Sequence, residues 1–302
     1  MKKVLKWIGI VLGGLIGLIV IVIIGLAMYG NMKFKPTHAE RPLYPITADT
    51  SPEGVARGKY LMDQAMGCTE GCHVAEDGTM SGVVEEVNQG PISAVFAVPN
   101  LTSDMETGLG GWTDAEIARA IREGVDKDGI ELVIMPSAHY TVLSDEDVAA
   151  IVGYLRVLAP IKHEIPPLQL NWVGKIMLSL GVFGPAPLQD PITVAQTTPP
   201  RGTVENGKYM ASIGACTECH QQNLAGGSLP MSPPDAIPAA NLTPGGELVG
   251  WTVEDFIAAV TEGKHPSGST LDEGMPRFGT APEDLSDIFA YLQSLPALPT
   301  NE

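Results

Sequence analysis

The chain has 302 residues, of which 44% are hydrophobic and only 6% aromatic, and its formal net charge at pH 7 is −17. This length leaves room for two domains, and the hydrophobic content is sufficient for packed cores. The acidic balance argues against nucleic acid as a partner and favours a basic protein partner. A simpler interpretation is that the charge only keeps the protein soluble, and the sequence does not separate the two.

The N-terminus contains a candidate membrane span. Three lysines precede an uncharged run over residues 7–29 that is rich in Ile, Leu, Val and Gly. About 20 such residues cross the hydrocarbon core of a bilayer, and Trp7 and Tyr29 stand at the two ends, where amphipathic aromatic residues favour the interface. A cleavable signal peptide is the alternative, but its apolar core is shorter and a small-x-small cleavage site follows it. We therefore expect a retained anchor over residues 1–30 with its N-terminus in the cytoplasm.

A polar stretch over residues 31–52 follows the anchor. It contains prolines at positions 36, 42, 45 and 52. Pro-rich segments of this kind adopt extended conformations. The stretch therefore predicts an extended tether with little helical content.

Two cysteine–histidine clusters hold all four cysteines of the chain: Cys68, Cys72 and His73, then Cys216, Cys219 and His220. The second is a C-x-x-C-H, the pattern of covalent c-type haem attachment, and the first has one extra residue between its cysteines. In such sites the thiols bond to the haem vinyl groups and the adjacent His is an axial iron ligand. The clusters therefore predict two c-type haems, in a compartment outside the cytoplasm.

Three other chemistries fit cysteine pairs: a disulfide, a zinc site or a thioredoxin-like redox pair. Zinc takes four ligands, whereas each cluster offers three and has no second Cys or His pair close in sequence. A redox C-x-x-C needs no His directly after it. Haem attachment accounts for the whole pattern, and these alternatives do not.

Four short motifs occur twice, in the same order and at nearly constant offset. They are Gly-Lys-Tyr, Asn-Leu-Thr, Gly-Trp-Thr and Tyr-Leu, at residues 58–60 and 207–209, 100–102 and 241–243, 111–113 and 250–252, and 154–155 and 291–292. Such a repeat indicates two copies of one fold. We expect the copies at residues 53–160 and 204–297, with a Pro-rich linker over 161–203 between them.

Each copy reads as mostly helical. Thr113 and Glu116 form a capping box that opens a helix ending before Gly124, and the counterpart starts at Thr252 and ends before Gly263. A final helix in each copy, starting near residue 144 and after residue 282, carries apolar residues at three- and four-residue spacing. The segment 76–109 lacks clear periodicity and is predicted to be loops over the cofactor.

The linker contains one apolar segment, residues 168–183, with Trp172 among its large side chains. It is too short and interrupted to span a bilayer. It predicts either a short helix that covers one copy or an amphipathic contact with the membrane or a partner subunit. Packing within the chain is the favoured interpretation.

Both copies place a Met-Pro pair between the capped helix and the final helix, at Met135 and at Met275. Met opposite His raises the potential of a haem, and a following Pro restrains the loop that aims the sulfur. A lone Met is usually a core filler, but this one recurs in register. Met80, Met105 and Met231 have no such match, and nor does the rival ligand His139. We predict the axial pairs His73/Met135 and His220/Met275.

Two aromatic positions also recur. Trp112 and Trp251 each follow a Gly directly before the capped helix. An indole at the haem edge donates its N–H to a propionate, or the ring is a plain core residue, and both readings stay open. Four tyrosines are predicted to pack the first and last helices together, at positions 60, 154, 209 and 291.

Together these motifs resemble the class I cytochrome c family, in particular multihaem cytochrome subunits of membrane-bound alcohol, aldehyde and sugar-acid dehydrogenases. The resemblance covers residues 53–297 and rests on the repeated motifs above, with Pro99 before the first Asn-Leu-Thr and His139-Tyr140 after the first Met-Pro. It implies a mostly α fold: two tandem class I cytochrome c domains after an N-terminal transmembrane helix. The chain departs from the family in having two haem motifs instead of three. The extra residue in the first cluster puts the thioether at Cys68 in question.

These features predict an electron carrier and not an enzyme. It would be tethered to a bacterial inner membrane with its haem domains in the periplasm, and relay electrons between a membrane or periplasmic donor and an acceptor. It would do so either as a free carrier or as the electron-transfer subunit of a respiratory or photosynthetic complex. Its partners would be other redox proteins: a soluble cytochrome, dehydrogenase, oxidase or reaction centre. The alternative is a dihaem enzyme of the peroxidase or thiosulfate dehydrogenase type, which needs a displaceable sixth ligand.

Overall fold

The computed structural model describes residues 2–182, 188–229 and 236–301, so Met231 lies outside the described residues. The described part is mostly helical and starts with a long apolar helix. Its helices are α1 (Lys2–Met32), α2 (Pro52–Tyr60), α3 (Asp114–Glu123), α4 (Ser137–Tyr140), α5 (Asp145–Val157), α6 (Trp172–Ser179), α7 (Val204–Ile213), α8 (Cys216–His220), α9 (Val253–Glu262) and α10 (Pro282–Ser294). Two π-helical turns cover Leu61–Ala65 and Thr69–His73. The strands are β1 (Val83–Gln89), β2 (Ile92–Val98) and β3 (Gln169–Leu170).

Helix α1 matches the predicted span. Among the described residues it is the one helix that is long and apolar enough to cross a membrane, over Lys3–Met32, and no residue of its most apolar 18-residue window is buried. Such a helix is consistent with membrane anchoring. Its last turns, however, pack against the rest of the protein, starting at Leu26.

The first and last helices cross closely in both units, α2 on α5 and α7 on α10. A Cβ at Gly58 would lie 2.1 Å from the carbonyl oxygen of Ala150, and one at Gly207 would lie 1.9 Å from that of Asp287. No side chain fits at these distances. The helix crossing therefore explains the glycine of the repeated Gly-Lys-Tyr motif, because any larger residue would clash with the backbone of the facing helix.

The predicted helix boundaries are confirmed. Thr113 and Glu116 form the expected capping box at α3, and Gly124 ends that helix in the left-handed region at φ 69°. An equivalent capping box, formed by Thr252 and Asp255, opens α9, and Gly263 ends that helix at φ 68°. The side chain of Ser144 caps α5.

The prediction of loops over residues 76–109 was wrong in part. Strands β1 and β2 form an antiparallel hairpin, from the pair Val83–Val98 to the pair Gln89–Ile92, and β3 adds to β2 opposite residues 94–95. The hairpin turn contains Gly90 at φ 56°. The strands are rich in Val and Ile, which favour β structure, and this was the overlooked signal.

The segment expected as a tether is extended but lies along the first unit. Ala48 N donates to Asp114 Oδ2 over 2.8 Å, and Tyr44 Oη donates to Asp145 Oδ2 over 3.0 Å. These contacts tie the segment to the starts of α3 and α5. The segment that joins the anchor to the first unit is therefore extended and hydrogen-bonded to that unit.

A small second core links the anchor to the first unit. It is formed by Ala94 of the hairpin, Val133, Leu170 and Leu178, with Phe34 packed against it. Helix α6 contributes Leu178 and also packs on α1. The favoured expectation for the apolar linker segment, a short helix that packs within the chain, is confirmed.

Candidate haem-binding sites

The extra residue of the first cluster is absorbed by a wider helical turn. His73 N donates to Cys68 O over 3.1 Å, an i to i+5 bond that closes a π-helical turn. In the second cluster the residues Cys216–His220 form the short helix α8 instead. A π turn inserts one residue without ending a helical segment. Cys72 and His73 therefore stay adjacent on one turn despite the insertion.

The four thiols are free, and each cluster has one core-facing and one outward thiol. Cys68 and Cys216 pack against the hydrophobic core, whereas Cys72 is exposed and Cys219 half-exposed. Burial raises the pKa of Cys68 to about 12 and that of Cys216 to about 11. Catalytic redox cysteines have a lowered pKa, so these sites do not fit a thioredoxin-like pair.

The two motif histidines are oriented in the same way. His220 Nδ1 is 2.7 Å from the carbonyl oxygen of Ala240, and His73 Nδ1 is 3.3 Å from that of Pro99. A carbonyl only accepts, so Nδ1 carries the proton and Nε2 keeps its lone pair. The Nε2 atom of His220 is buried and has no hydrogen-bond partner. An orphaned buried nitrogen is costly unless it binds something.

Desolvation favours the neutral form of both imidazoles, although the His73 side chain is half-exposed. Desolvation lowers the pKa of His73 to about 4, with the carbonyl of Pro99 acting weakly in the opposite direction, and lowers the pKa of His220 as well. A neutral imidazole with a fixed tautomer is what an iron atom needs as an axial ligand. The residues present therefore fit a c-type haem at each site.

The repeated Asn-Leu-Thr fixes the backbone beside these histidines. Asn241 Oδ1 accepts from the backbone N and the Oγ1 of Thr243, over 2.9 and 2.8 Å, while its Nδ2 donates to Leu298 O over 2.8 Å. Asn100 makes the same set of bonds with Thr102 and Ile161. Both asparagines are buried and directly follow the residue that binds the histidine. Sequence reasoning used this motif only as a repeat marker and missed its positioning role.

Met135 and Met275 lie in braced loops, half-buried. Met135 packs against the core that also contacts Cys68. The loop of Met275 is closed by a bond from its own N to Asp272 O over 3.1 Å, and the guanidinium of Arg277 donates to the Met275 carbonyl. Iron ligation by the two sulfurs stays a prediction.

The rival ligands have other environments. His139 Nε2 is hydrogen-bonded to the Glu218 carboxylate, and His265 Nε2 lies 2.9 Å from Glu247 Oε1. Met80 is buried, and Met105 is exposed. These contacts favour Met135 over His139 as the sixth ligand of the first site.

Both repeated tryptophans are partly buried. Trp112 and Trp251 pack against the core, and the Trp251 ring lies 5.2 Å from the ring of His265 in an edge-on arrangement. The core contact predicted as one of the two readings is therefore present. A contact of either indole with a haem propionate stays a prediction.

Zinc binding gains no support from the fold. Among residues 2–182, 188–229 and 236–301, no group of three or more His, Cys, Asp or Glu side chains is arranged to hold a metal ion. A c-type site needs only one protein nitrogen and the two thiols near it. Each cluster contains that set of residues, one histidine and two cysteines.

Comparison with known proteins points to the same chemistry. No family model matches the chain. It is 30% identical to the gluconate 2-dehydrogenase cytochrome c subunit of Pantoea cypripedii, over 55% of this chain and 37% of that protein. It is 25% identical to the fructose dehydrogenase cytochrome subunit of Gluconobacter japonicus, over 85% and 56%. It is 27% identical to a diheme cytochrome c-type protein of Cereibacter sphaeroides, over 93% and 97%.

The extent of these matches differs between relatives. The chain spans between 12% and 59% of the length of the dehydrogenase relatives, but nearly all of the dihaem protein. The shared element is therefore the cytochrome region. With the two cysteine–histidine sites and their oriented imidazoles, these similarities make the chain a haem protein similar to cytochrome c subunits, with two c-type haems as its cofactors.

Proposed function

We propose that this chain is a membrane-tethered electron carrier built from two tandem class I cytochrome c units. It relays electrons between a membrane or periplasmic donor and an acceptor protein. The observation that carries the proposal is the buried, unpartnered Nε2 of His220, whose ring is fixed by a bond from Nδ1 to Ala240 O. At His73 the ring orientation recurs, with Nδ1 3.3 Å from Pro99 O, although this side chain is half-exposed.

A c-type haem at each site supplies one-electron redox chemistry. The protein's part is to hold one fixed set of ligands. His73 and His220 stay neutral and correctly rotated, and Met135 and Met275 stand in loops that their neighbours brace. A closed ligand set suits electron transfer, since it leaves no position for a substrate.

The contact between the units supports a relay from one site to the other. The Met135 loop continues into α4, which packs on α7, and His139 there bonds to Glu218 inside the second cluster. In the opposite direction, Thr280 Oγ1 donates to Gln64 O over 2.9 Å. Each sixth-ligand loop thus touches the other unit close to its attachment cluster, which keeps the two sites near each other.

The anchor, the charge and the relatives support a proposal for the compartment and the partners of this chain. Covalent haem attachment and the N-terminal lysines support a cytoplasmic N-terminus and periplasmic haem units. The net charge of −17 favours a basic soluble redox partner. Several relatives are named as dehydrogenase subunits, which supports a dehydrogenase as donor; a soluble cytochrome, an oxidase or a reaction centre would accept.

Spectroscopy of the purified full-length protein tests the proposal. Pyridine haemochrome analysis should give two c-type haems per chain. The oxidised protein should show the near-infrared sulfur-to-iron charge-transfer band at the intensity of two Met-ligated haems. Intensity for one haem, together with peroxide or thiosulfate turnover, would overturn the carrier assignment and favour the dihaem enzyme.

A further inference from the structure

Helix α6 runs antiparallel to the end of the membrane helix. Ser179 Oγ donates to Leu26 O over 2.7 Å, and Lys175 Nζ donates to Asn31 Oδ1 over 2.8 Å. A Cβ at Gly30 would lie 2.2 Å from Lys175 O, so the two backbones touch there. Lys175 of α6 lies beside Asn31 of α1, and the later residue Ser179 lies beside the earlier residue Leu26, so the two helices run in opposite directions. The C-terminal end of α6 therefore lies deeper toward the membrane than its start.

The depth of that end follows from helix geometry. An α-helix rises 1.5 Å per residue, so a hydrocarbon core of about 30 Å takes about 20 residues. Counted from Trp7, the interfacial aromatic residue at the inner side, the core ends at about Leu26. Ser179 bonds to the carbonyl of Leu26. The last turn of α6 thus reaches the outer boundary of the hydrocarbon region.

The outward face of α6 is apolar. Trp172, Ile176 and Leu180 stand four residues apart and form one ridge. Trp172 is 63% exposed and Leu180 61% exposed, with the half-buried Ile176 between them. The opposite face, with Gly174 and Leu178, is buried. By the register with α1, Trp172 stands just beyond the level of Asn31 and Leu180 at the level of the acyl chains. A Trp at headgroup depth above a Leu at acyl depth is the order that a bilayer favours.

The position of α6 is fixed from the protein side as well. Asn171 caps the helix, accepting from Gly174 N over 2.9 Å, and its Nδ2 donates to Pro91 O of the hairpin turn over 2.8 Å. The ion pair Lys33–Glu131, 2.8 Å between Nζ and Oε1 with the carboxylate buried, holds the end of α1 against the first unit. These contacts therefore hold the ridge in a fixed position beside the membrane span.

We propose that α6 is a second membrane contact of this protein. The ridge Trp172–Ile176–Leu180 lies in the outer interface of the lipid bilayer, at the boundary between the glycerol groups and the acyl chains. This contact fixes the orientation of the first haem unit relative to the membrane. The occupant of this exposed face is lipid, because the face is continuous with the lipid-facing surface of α1. The proposal rests on the membrane anchoring that is part of the proposed function.

Nitroxide labels on the full-length haem protein in phospholipid nanodiscs test it. Under the proposed function the native cysteines are bonded to haem, which leaves Leu180→Cys as the thiol to be labelled. The parent protein treated with the same reagent is the control, and any label that it takes up at a native cysteine is subtracted. Ile16→Cys in the span serves as the lipid reference, and the exposed Val194→Cys as the water reference. Collision rates with oxygen, which enters lipid, and with a water-soluble nickel chelate are measured.

We expect the oxygen-to-nickel ratio at Leu180 to be several-fold above that at Val194 and close to that at Ile16. A Trp172→Cys label should give an intermediate value. A water-like ratio at Leu180 with a lipid-like ratio at Ile16 overturns the second contact and leaves the anchor intact. Low access to both reagents at Leu180 points to a protein partner and also overturns it. A water-like ratio at Ile16 overturns the anchoring itself.

Discussion

Tyr60 donates a hydrogen bond of 2.6 Å from its phenol oxygen to Asp284 Oδ2, across the boundary between the two units. The repeat equivalents reverse the direction: Tyr209 donates to Asp147 Oδ2, also over 2.6 Å. Each tyrosine ends a Gly-Lys-Tyr motif, and each aspartate holds the same position in a final helix. The first helix of each unit is thus bonded to the last helix of the other, which makes the interface pseudo-symmetric.

The first prediction concerns this reciprocal pair. Tyr209→Phe removes the hydroxyl from a buried ring and leaves Asp147 with only the guanidinium of Arg57 and its cap contacts. A hydrogen bond to a charged acceptor contributes about 1.5–3 kcal/mol. We expect the free energy of unfolding in denaturant to fall by about that amount. Tyr291→Phe, in a ring that packs on the same core, is the matched control.

A pH dependence follows from the same tyrosines. Burial raises the pKa of Tyr60 and of Tyr209 above the ordinary value of about 10, and the adjacent carboxylates raise both further. The folded state holds these protons more tightly than the unfolded state, so their contribution is complete below pH 10 and is lost as the pH rises above it. The stability gap between the parent and a Tyr60→Phe/Tyr209→Phe variant should therefore narrow above pH 10. Denaturant midpoints at pH 8 and above pH 10 measure it, and a constant gap would contradict the argument.

The helix crossing gives a third prediction. Alanine has the higher helix propensity, yet Gly207→Ala places a Cβ 1.9 Å from the backbone oxygen of Asp287, which cannot move without shifting α10. Overpacking of this kind costs about 1–3 kcal/mol, so the steric effect wins. Thermal unfolding followed by circular dichroism should show a lower midpoint. Gly17→Ala, in a helix with open space around it, should leave the midpoint unchanged.

The axial ligands are tested by Met135→Ala and Met275→Ala. Thioether sulfur favours the ferrous state, so each variant should lower the potential of one haem and leave both haems covalently attached. Redox titration and the near-infrared band measure this, and the band should lose half its intensity in each variant. Met105→Ala, at an exposed position, is the control. A full band in either ligand variant would contradict that assignment.

How far the sequence predicted this fold depends on the range of the interactions. The capping box of Thr113 and the glycine stop at Gly124 are local, so the sequence alone placed α3 correctly. The hairpin depends on pairing between β1, β2 and a strand about 75 residues further on, and its Gly-rich surroundings looked like loop. Its Val-rich strands on either side of Gly90-Pro91 were the available signal.

The features of the candidate sites also differ in whether they could be predicted from local sequence. The clusters and the matched Met-Pro pairs are legible in the sequence, because cofactor attachment demands fixed residue types at fixed spacing. The hydrogen bonds of Tyr60 and Tyr209 to aspartates of the other unit could not be predicted, since they depend on how the two similar units pack together. Asn241 was visible as part of a repeat, but its role of fixing the backbone beside His220 depends on contacts between residues distant in sequence, which a motif does not show.

The last prediction concerns the thioether at Cys68. The π-helical turn absorbs the inserted residue, and Cys68 packs against the core as Cys216 does in the regular motif. Burial raises the pKa of both thiols, so both lie away from water. We therefore expect Cys68 to be bonded to its haem. Cys68→Ala should leave that haem attached through Cys72 and shift the pyridine haemochrome maximum to longer wavelength, as an unsaturated vinyl group does. Cys216→Ala is the matched control and should give the same shift, whereas an unchanged spectrum for Cys68→Ala alone would show that the first haem is held by Cys72 only.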